Sequence, residues 1–289
     1  MIRFLILLFI VSCNIQASLT EYLYPHRATS YSNYGTLGVI QNPSARLLSE
    51  GSVGFTWTHN EPYLRGSIVA YPFNWLEAAF QYTDVNNQLY SDVSAFSGSQ
   101  SLKDKSFDTK IRILSESNYM PQIAIGLRDI GGTGVFGGEF IVANKYIKNF
   151  DVSLGIGWGN LNANKISNPL RVFGDRFKNR PINTSATGGE FNTNQLFHGD
   201  AGIFGGIEYF LPNMNGLRLK AEINSINYDT EGSKPLIKDS NINVGLVYPF
   251  NDFFQVKLSY IKGNQLSFGF SLSGNVGKKS SGRKKRDPY

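Results

Sequence analysis

Phe150, Val152, Leu154, Ile156 and Trp158 alternate one for one with Asp151, Ser153, Gly155 and Gly157. Successive side chains on a β-strand point to opposite faces, so this segment has one apolar face and one small, polar face. In a soluble sandwich the apolar face meets a second sheet; in a transmembrane barrel it meets hydrocarbon. The choice between these two settings governs the rest of the reading.

The same period of two recurs from Gly51 almost to the end of the chain. It predicts strands over 52–58, 63–71, 74–83, 106–114, 122–129, 135–145, 149–158, 200–210, 216–227, 240–248, 253–261 and 264–274. One face carries Val53, Phe55 and Trp57, then Leu217, Leu219, Ala221 and Ile223, then Leu266, Phe268, Phe270 and Leu272. The interleaved face holds the charges Glu77, Asp108, Lys110, Arg112, Arg218, Lys220, Glu222 and Lys257. A barrel requires this segregation, because Arg or Lys in mid-bilayer costs roughly 2–4 kcal/mol. A sandwich shows it too, since its outer face is wet.

Connection length separates the two. Every second turn is short: 72–73, 116–121, 146–148, 211–215 and 249–252. The connections between them include the long ones, 84–105, 159–199 and 228–239. Bacterial barrels pair short periplasmic turns with long outer loops, whereas a sandwich has no reason to sort loops by parity. Aromatics gather at the strand ends (Trp57, Tyr71, Trp75, Tyr82, Trp158, Tyr209, Tyr248, Phe250 and Tyr260), as interfacial girdles do. The fold expected is all-β: a single antiparallel transmembrane β-barrel of about twelve strands, with an irregular N-terminal lead-in. Mean hydropathy of −0.21 is compatible with this, because only every second strand residue meets lipid.

Four regions follow. Residues 1–17 read as a signal peptide, with basic Arg3 ahead of the apolar run Phe4–Val11, too short to span a bilayer as a helix. Cleavage before Cys13 at a lipobox leaves a lipid-attached cysteine; cleavage after Ala17 is the ordinary alternative. Residues 18–50 form the lead-in, or a plug folded back into the barrel mouth; 51–275 form the barrel; 276–289 form a basic disordered tail. That tail holds six of the 28 Lys and Arg and one of the 22 Asp and Glu, leaving 22 against 21 in the body, so nucleic acid is not an expected partner. Cys13 is the only cysteine, which rules out an intrachain disulfide.

Inward positions are often tiny: Ser153, Gly155, Gly157, Gly202, Gly206, Ser267, Gly269, Ser271 and Ser273. They leave room for a conduit or an inserted segment, or they serve only strand coiling. Inward Arg65, Lys110, Arg112, Arg218 and Lys220 are a candidate basic stripe for an acidic glycan; Glu77, Asp108 and Glu222 offer instead to neutralise it in a structural network. His26, His59 and His198 have no metal-ligand spacing, and Gly131-Gly132-Thr133-Gly134 is not a phosphate loop. Arg128 and Asp129 beside it are read as an ion pair or a glycan contact. The chain is expected to be non-enzymatic, without catalytic residues, metal or cofactor.

Several segments resemble the YjbH family: Ser32–Gly35 with Gly38–Arg46, Pro72–Glu77, Phe204–Tyr209, Ile242–Leu246 and, above all, Gly126-Leu127-Arg128-Asp129-Ile130-Gly131-Gly132-Thr133-Gly134. The resemblance covers roughly residues 30–275. It implies an exported, often lipid-anchored outer-membrane barrel concerned with polysaccharide secretion or assembly, which agrees with lipid attachment at Cys13. Implied partners are outer-membrane lipid, a polysaccharide and periplasmic export lipoproteins. Family chains are typically longer, with a second barrel-like half, so the resemblance implies a truncated gene, a split gene or a one-barrel variant. The function expected is assistance to exopolysaccharide or capsule export or surface assembly; the alternative is a structural or surface-interaction barrel with a plugged lumen.

Overall fold

The computed structural model describes residues 30–181, 193–211, 214, 216–231 and 236–277. Cys13 and the rest of residues 1–29, with the basic residues of 278–289, lie outside the described residues.

Twelve antiparallel strands close into a barrel: β1 (Ser52–Asn60), β2 (Tyr63–Phe73), β3 (Leu76–Leu89), β4 (Ser101–Leu114), β5 (Gln122–Arg128), β6 (Gly138–Ile147), β7 (Phe150–Gly157), β9 (Ala201–Leu211), β10 (Leu217–Ile223), β11 (Ile242–Pro249), β12 (Phe254–Ile261) and β13 (Gln265–Asn275). Each pairs with its sequence neighbour, β7 pairs with β9, and β1 pairs with β13 to shut the sheet. β8 (Lys165–Ile166) is a two-residue addition beside the start of β9. Closure removes the free edges that an open sheet would expose.

Side-chain direction follows the parity read from the sequence. Val53, Phe55, Phe107, Ile111, Leu154, Leu219, Leu258 and Phe268 are exposed on the outer wall. Glu77, Asp108, Lys110, Arg218, Lys220, Glu222 and Lys257 are buried inside it. Exposed large apolar side chains recur around the outer wall, a surface that a water-soluble monomer rarely leaves uncovered and that suits hydrocarbon. Leu154, mid-strand on β7 and 63% exposed, gives a direct check. Leu154→Arg should lower folding stability in lipid by about 2–4 kcal/mol, measured by reversible denaturant titration in vesicles; an unchanged midpoint would mean that this face meets water.

Three details depart from the sequence reading. β3 and β4 reach Leu89 and Ser101, so the predicted 84–105 loop shrinks to 90–100, which includes a short helix at Ser94–Ser97. β10 stops at Ile223 instead of 227, because Asn224 to Tyr228 turn into the lumen and are buried. Two aromatics assigned to the girdle face inward. Trp158 follows the end of β7, where the chain turns at Gly159 (φ 63°), and packs edge-on against Phe197 at 5.2 Å. Tyr71 has inward parity and donates to Glu77 at 2.6 Å.

Candidate functional site

Residues 30–46 lie almost wholly buried inside the barrel. Their partners trace the path. Ser30 donates to Glu208 on β9 at 2.8 Å, near the end of the barrel that carries the short turns. The chain rises to Tyr34 beneath the long loops, and falls to Leu37 beside Glu77 and Lys110 at the foot of β3 and β4. It rises again to Gln41 and Asn42, then descends to Ala45 and Arg46. Ser30 and Arg46 thus both lie toward the short-turn end. Paired contacts at Tyr31–Leu37 and Gly38–Pro43 brace the bends, and Gly35 takes φ 81°, a left-handed conformation that glycine adopts without penalty.

A folded-back segment with so little regular structure presents many backbone groups that must be satisfied away from water. The barrel wall supplies ionised partners for them. Glu222 on β10 accepts the N–H groups of Ile40 (2.9 Å), Gln41 (2.9 Å) and Asn42 (3.1 Å), and Asn243 on β11 donates to it at 2.8 Å. The Glu77–Lys110 ion pair (2.9 Å) brackets one peptide: Glu77 accepts from Leu37 N, and Lys110 donates to Leu37 O. Lys220 donates to the carbonyls of Gly38 and Val39, and Lys257 to that of Ser32 at 2.5 Å. At the lower end Arg46 makes a two-pronged bond to Asp151 on β7 (2.9 and 2.8 Å), reaches Glu116 at 2.5 Å and lies over the Tyr146 ring at 3.7 Å. Bonds to charged groups are roughly twice as strong as neutral ones, so the segment is bound along its length.

The other end is covered from above. Glu231, in the loop after β10, accepts from Tyr34 (3.1 Å), from Tyr63 on β2 (2.6 Å) and from Asn160 in the β7–β9 loop (3.0 Å). One carboxylate thus ties together plug, wall and loop. Tyr228 donates to Gln41 Oε1 at 2.6 Å, and Asn42 Oδ1 accepts from Ser225 N at 3.0 Å.

The candidate basic stripe does not form an open track. Lys110, Arg218 and Lys220 each have a carboxylate within ion-pair distance, Lys110 and Lys220 also hold plug carbonyls, and Arg65 stacks beside Tyr34 and Tyr63. Arg112 is half-buried at the foot of β4. Eight buried cations face ten buried carboxylates among the described residues, so the interior is not basic. The tiny inward residues have a use: a Cβ on Gly206 would sit 3.0 Å from the Val39 methyls, and one on Gly54 would strike the Tyr31 ring.

The Arg128–Gly134 run is structural at its Asp end and plug-directed at its Arg end. Arg128 and Asp129 do not bridge each other. Arg128 donates to Gln41 O at 2.9 Å, while Asp129, at φ 52°, turns back to accept from Phe136 N at 3.2 Å and donates its own N–H to Asp108 at 2.9 Å. Thr133 donates to Asp104 at 2.8 Å. Gly132 is required because a Cβ there would run into the Asp129 carboxylate and the Lys105 carbonyl; Gly134 takes φ 79°. Burial, then the charges of Asp104 and Asp108, push the Asp129 carboxyl up to about 8 from its ordinary 3.8. The native state therefore holds this proton more tightly than the unfolded chain, and stability falls as pH rises from about 4 to 8. Asp129→Asn keeps both the acceptor and a tolerated left-handed backbone. Thermal unfolding in detergent across that window should be flatter in the variant than in the parent; equal slopes would remove Asp129 from the account.

The anchors Arg46, Asp151, Glu116, Glu208 and Glu231 were not singled out from sequence. Asp151 and Glu208 carry inward parity, a usable signal; Glu231 and Glu116 sit in connections, where period gives none.

The family model described as "Exopolysaccharide biosynthesis protein YbjH" (YjbH) matches residues 30–289. The "Uncharacterized lipoprotein YjbH" of Escherichia coli (strain K12) is 42% identical over 247 residues, 85% of this chain and 35% of that protein. The chain thus spans about a third of that relative's length. Among solved structures it is similar to a KdgM porin (TM-score 0.40, 8% identity, 77% of this chain and 97% of that one) and a NanC porin (TM-score 0.38, 8% identity, 77% and 98%).

Proposed function

This chain belongs to the YjbH family, and from that premise we propose that it assists export or surface assembly of an exopolysaccharide at the bacterial outer membrane, as a barrel whose lumen is closed at rest by its own lead-in. The observation that carries this reading is residues 30–46 held inside a barrel of apolar outer wall by acidic or basic side chains at both ends and the middle. Closed in this way, the protein is a gated or docking component and not a diffusion pore, and it needs no catalytic residue. Lipid attachment at Cys13, supported by the relative described as a lipoprotein, would tether the segment leading into the plug to the membrane leaflet on the short-turn side. Outer-membrane lipid, a polysaccharide and periplasmic export lipoproteins are the partners this role calls for.

The plug also favours a second reading, a structural or surface-interaction barrel with no transport step. The two differ in whether the plug must move. Val39 and Gly206 are close enough for a paired cysteine lock, a Cβ on Gly206 falling 3.0 Å from the Val39 methyls. Surface polysaccharide is measured in cells complemented with Val39→Cys/Gly206→Cys, oxidised and reduced. Loss on oxidation, reversed by reductant, supports a moving plug. Unchanged polysaccharide in the locked protein favours the structural barrel, and unchanged polysaccharide on deleting the gene overturns the export reading.

A further inference from the structure

Two buried guanidinium groups beneath the long loops lack the partner that the other buried arginines have. Arg65 on β2 is 1% exposed and Arg128 on β5 4%. Arg46 and Arg218 each have a carboxylate within ion-pair distance; among the described residues Arg65 and Arg128 have none. Both lie over the ring of Tyr34, with guanidinium carbons 4.4 and 4.3 Å from its centroid, so the plug holds two like charges close together. Nε and Nη2 of Arg65, and Nε and Nη1 of Arg128, have no acceptor. Arg65 spends its remaining Nη1 on Asn60 at 3.3 Å, and Arg128 its Nη2 on Gln41 O at 2.9 Å.

The wall around them adds further donors, with Asp104 on β4 opposite Thr83. Strand register places Thr58, Arg65 and Thr83 side by side on β1, β2 and β3, all facing inward, and Ser106 on β4 lies opposite Gln81 on that same face. The hydroxyls of Thr58, Thr83 and Ser106 are buried and have no partner. The neighbouring carboxylates are mostly engaged elsewhere: Glu231 by Tyr34, Tyr63 and Asn160, Asp108 by Asp129 N. Asp104 keeps one oxygen free, but the other is taken by Thr133 and it makes no ion pair with Arg65. A buried guanidinium without an ion pair is costly, and aromatic faces and more distant carboxylates offset only part of that cost. An anion in reach of the free N–H edges and hydroxyls would offset the rest.

We infer that Arg65 and Arg128, with the hydroxyls of Thr58 and Thr83 that flank Arg65 and the ring of Tyr34, form an internal site for one small anion, a halide or a carboxylate. The site is completed only when the plug is seated, so an occupied site holds the lumen closed. This does not depend on the polysaccharide role.

The test is thermal unfolding of the purified full chain in detergent, at constant ionic strength, as a bulky sulfonate is replaced by chloride or by acetate. The midpoint should rise by about 3 °C per tenfold anion above the dissociation constant. Arg128→Gln and Arg65→Gln should lose that dependence, whatever they do to the starting midpoint. Thr83→Val, which keeps both arginines and the wall's volume, should shift it to higher concentration. Bromide soaked into crystals should give an anomalous peak against the free N–H edges of the guanidinium groups. A response to chloride alone identifies a halide site, and a response to acetate as well a carboxylate site. No response to either anion, or equal responses in parent and Arg128→Gln, would overturn the proposal.

Discussion

Glu222→Ala is expected to lower the stability of the closed state by on the order of 4 kcal/mol. The side chain accepts three consecutive backbone N–H groups, from Ile40, Gln41 and Asn42, and a fourth bond from Asn243. Removing it leaves these donors buried beneath the 224–231 loop, and each stranded donor costs about 1–3 kcal/mol. The plug's escape is to leave the lumen, so the loss should appear as protease sensitivity within residues 30–46 before the barrel itself unfolds. Glu222→Gln should fall between: its carbonyl oxygen still accepts, but its amide presents a donor to a donor. Limited proteolysis with mass mapping reads both. Equal protection in parent and Glu222→Ala would mean that this carboxylate does not hold the plug.

Arg46→Ala is expected to cost about 3–5 kcal/mol, by breaking a buried ion pair from one side. The guanidinium meets Asp151 through two bonds and Glu116 through one, all three residues being buried. Alanine leaves two carboxylates facing each other across the lower lumen; Lys145, 3.3 Å from Glu116, relieves only one of them. Arg46→Lys keeps the charge but not the planar two-pronged geometry, and should recover less than half of the loss. Denaturant titration in vesicles gives the magnitudes. Because Arg46 and Glu222 grip one segment at two levels of the lumen, the double variant should cost less than the two single losses together; strict additivity would show that the plug does not come out as a unit.

These anchors mark where sequence reading stopped. Alternation from Val53 to Leu272 was legible because hydrocarbon on one side and a polar interior on the other impose a strict period of two. Loop parity was legible for the same reason, and it separated barrel from sandwich. What alternation does not encode is what fills the interior. Lys110, Lys220 and Arg218 looked like a track for an acidic ligand because their parity is inward; their acceptors are Leu37, Gly38 and Val39 carbonyls and the Glu77 and Glu208 carboxylates, set by long-range geometry. The Gly-rich run could be named but not explained. Its Gly132 is fixed by the returning Asp129 carboxylate, and its Arg128 by a plug peptide about 90 residues earlier in the chain. Trp158 and Tyr71 misled for a related reason, since strand-end aromatics serve the membrane interface and the lumen rim alike.

Single-channel conductance of the purified protein in planar bilayers tests most directly whether the lead-in seals the barrel. The parent should pass almost no steady current, and a variant lacking residues 30–46 should open stably, with Glu222→Ala flickering between the two levels. A large, steady current through the parent protein, unchanged by removing residues 30–46, would contradict the account.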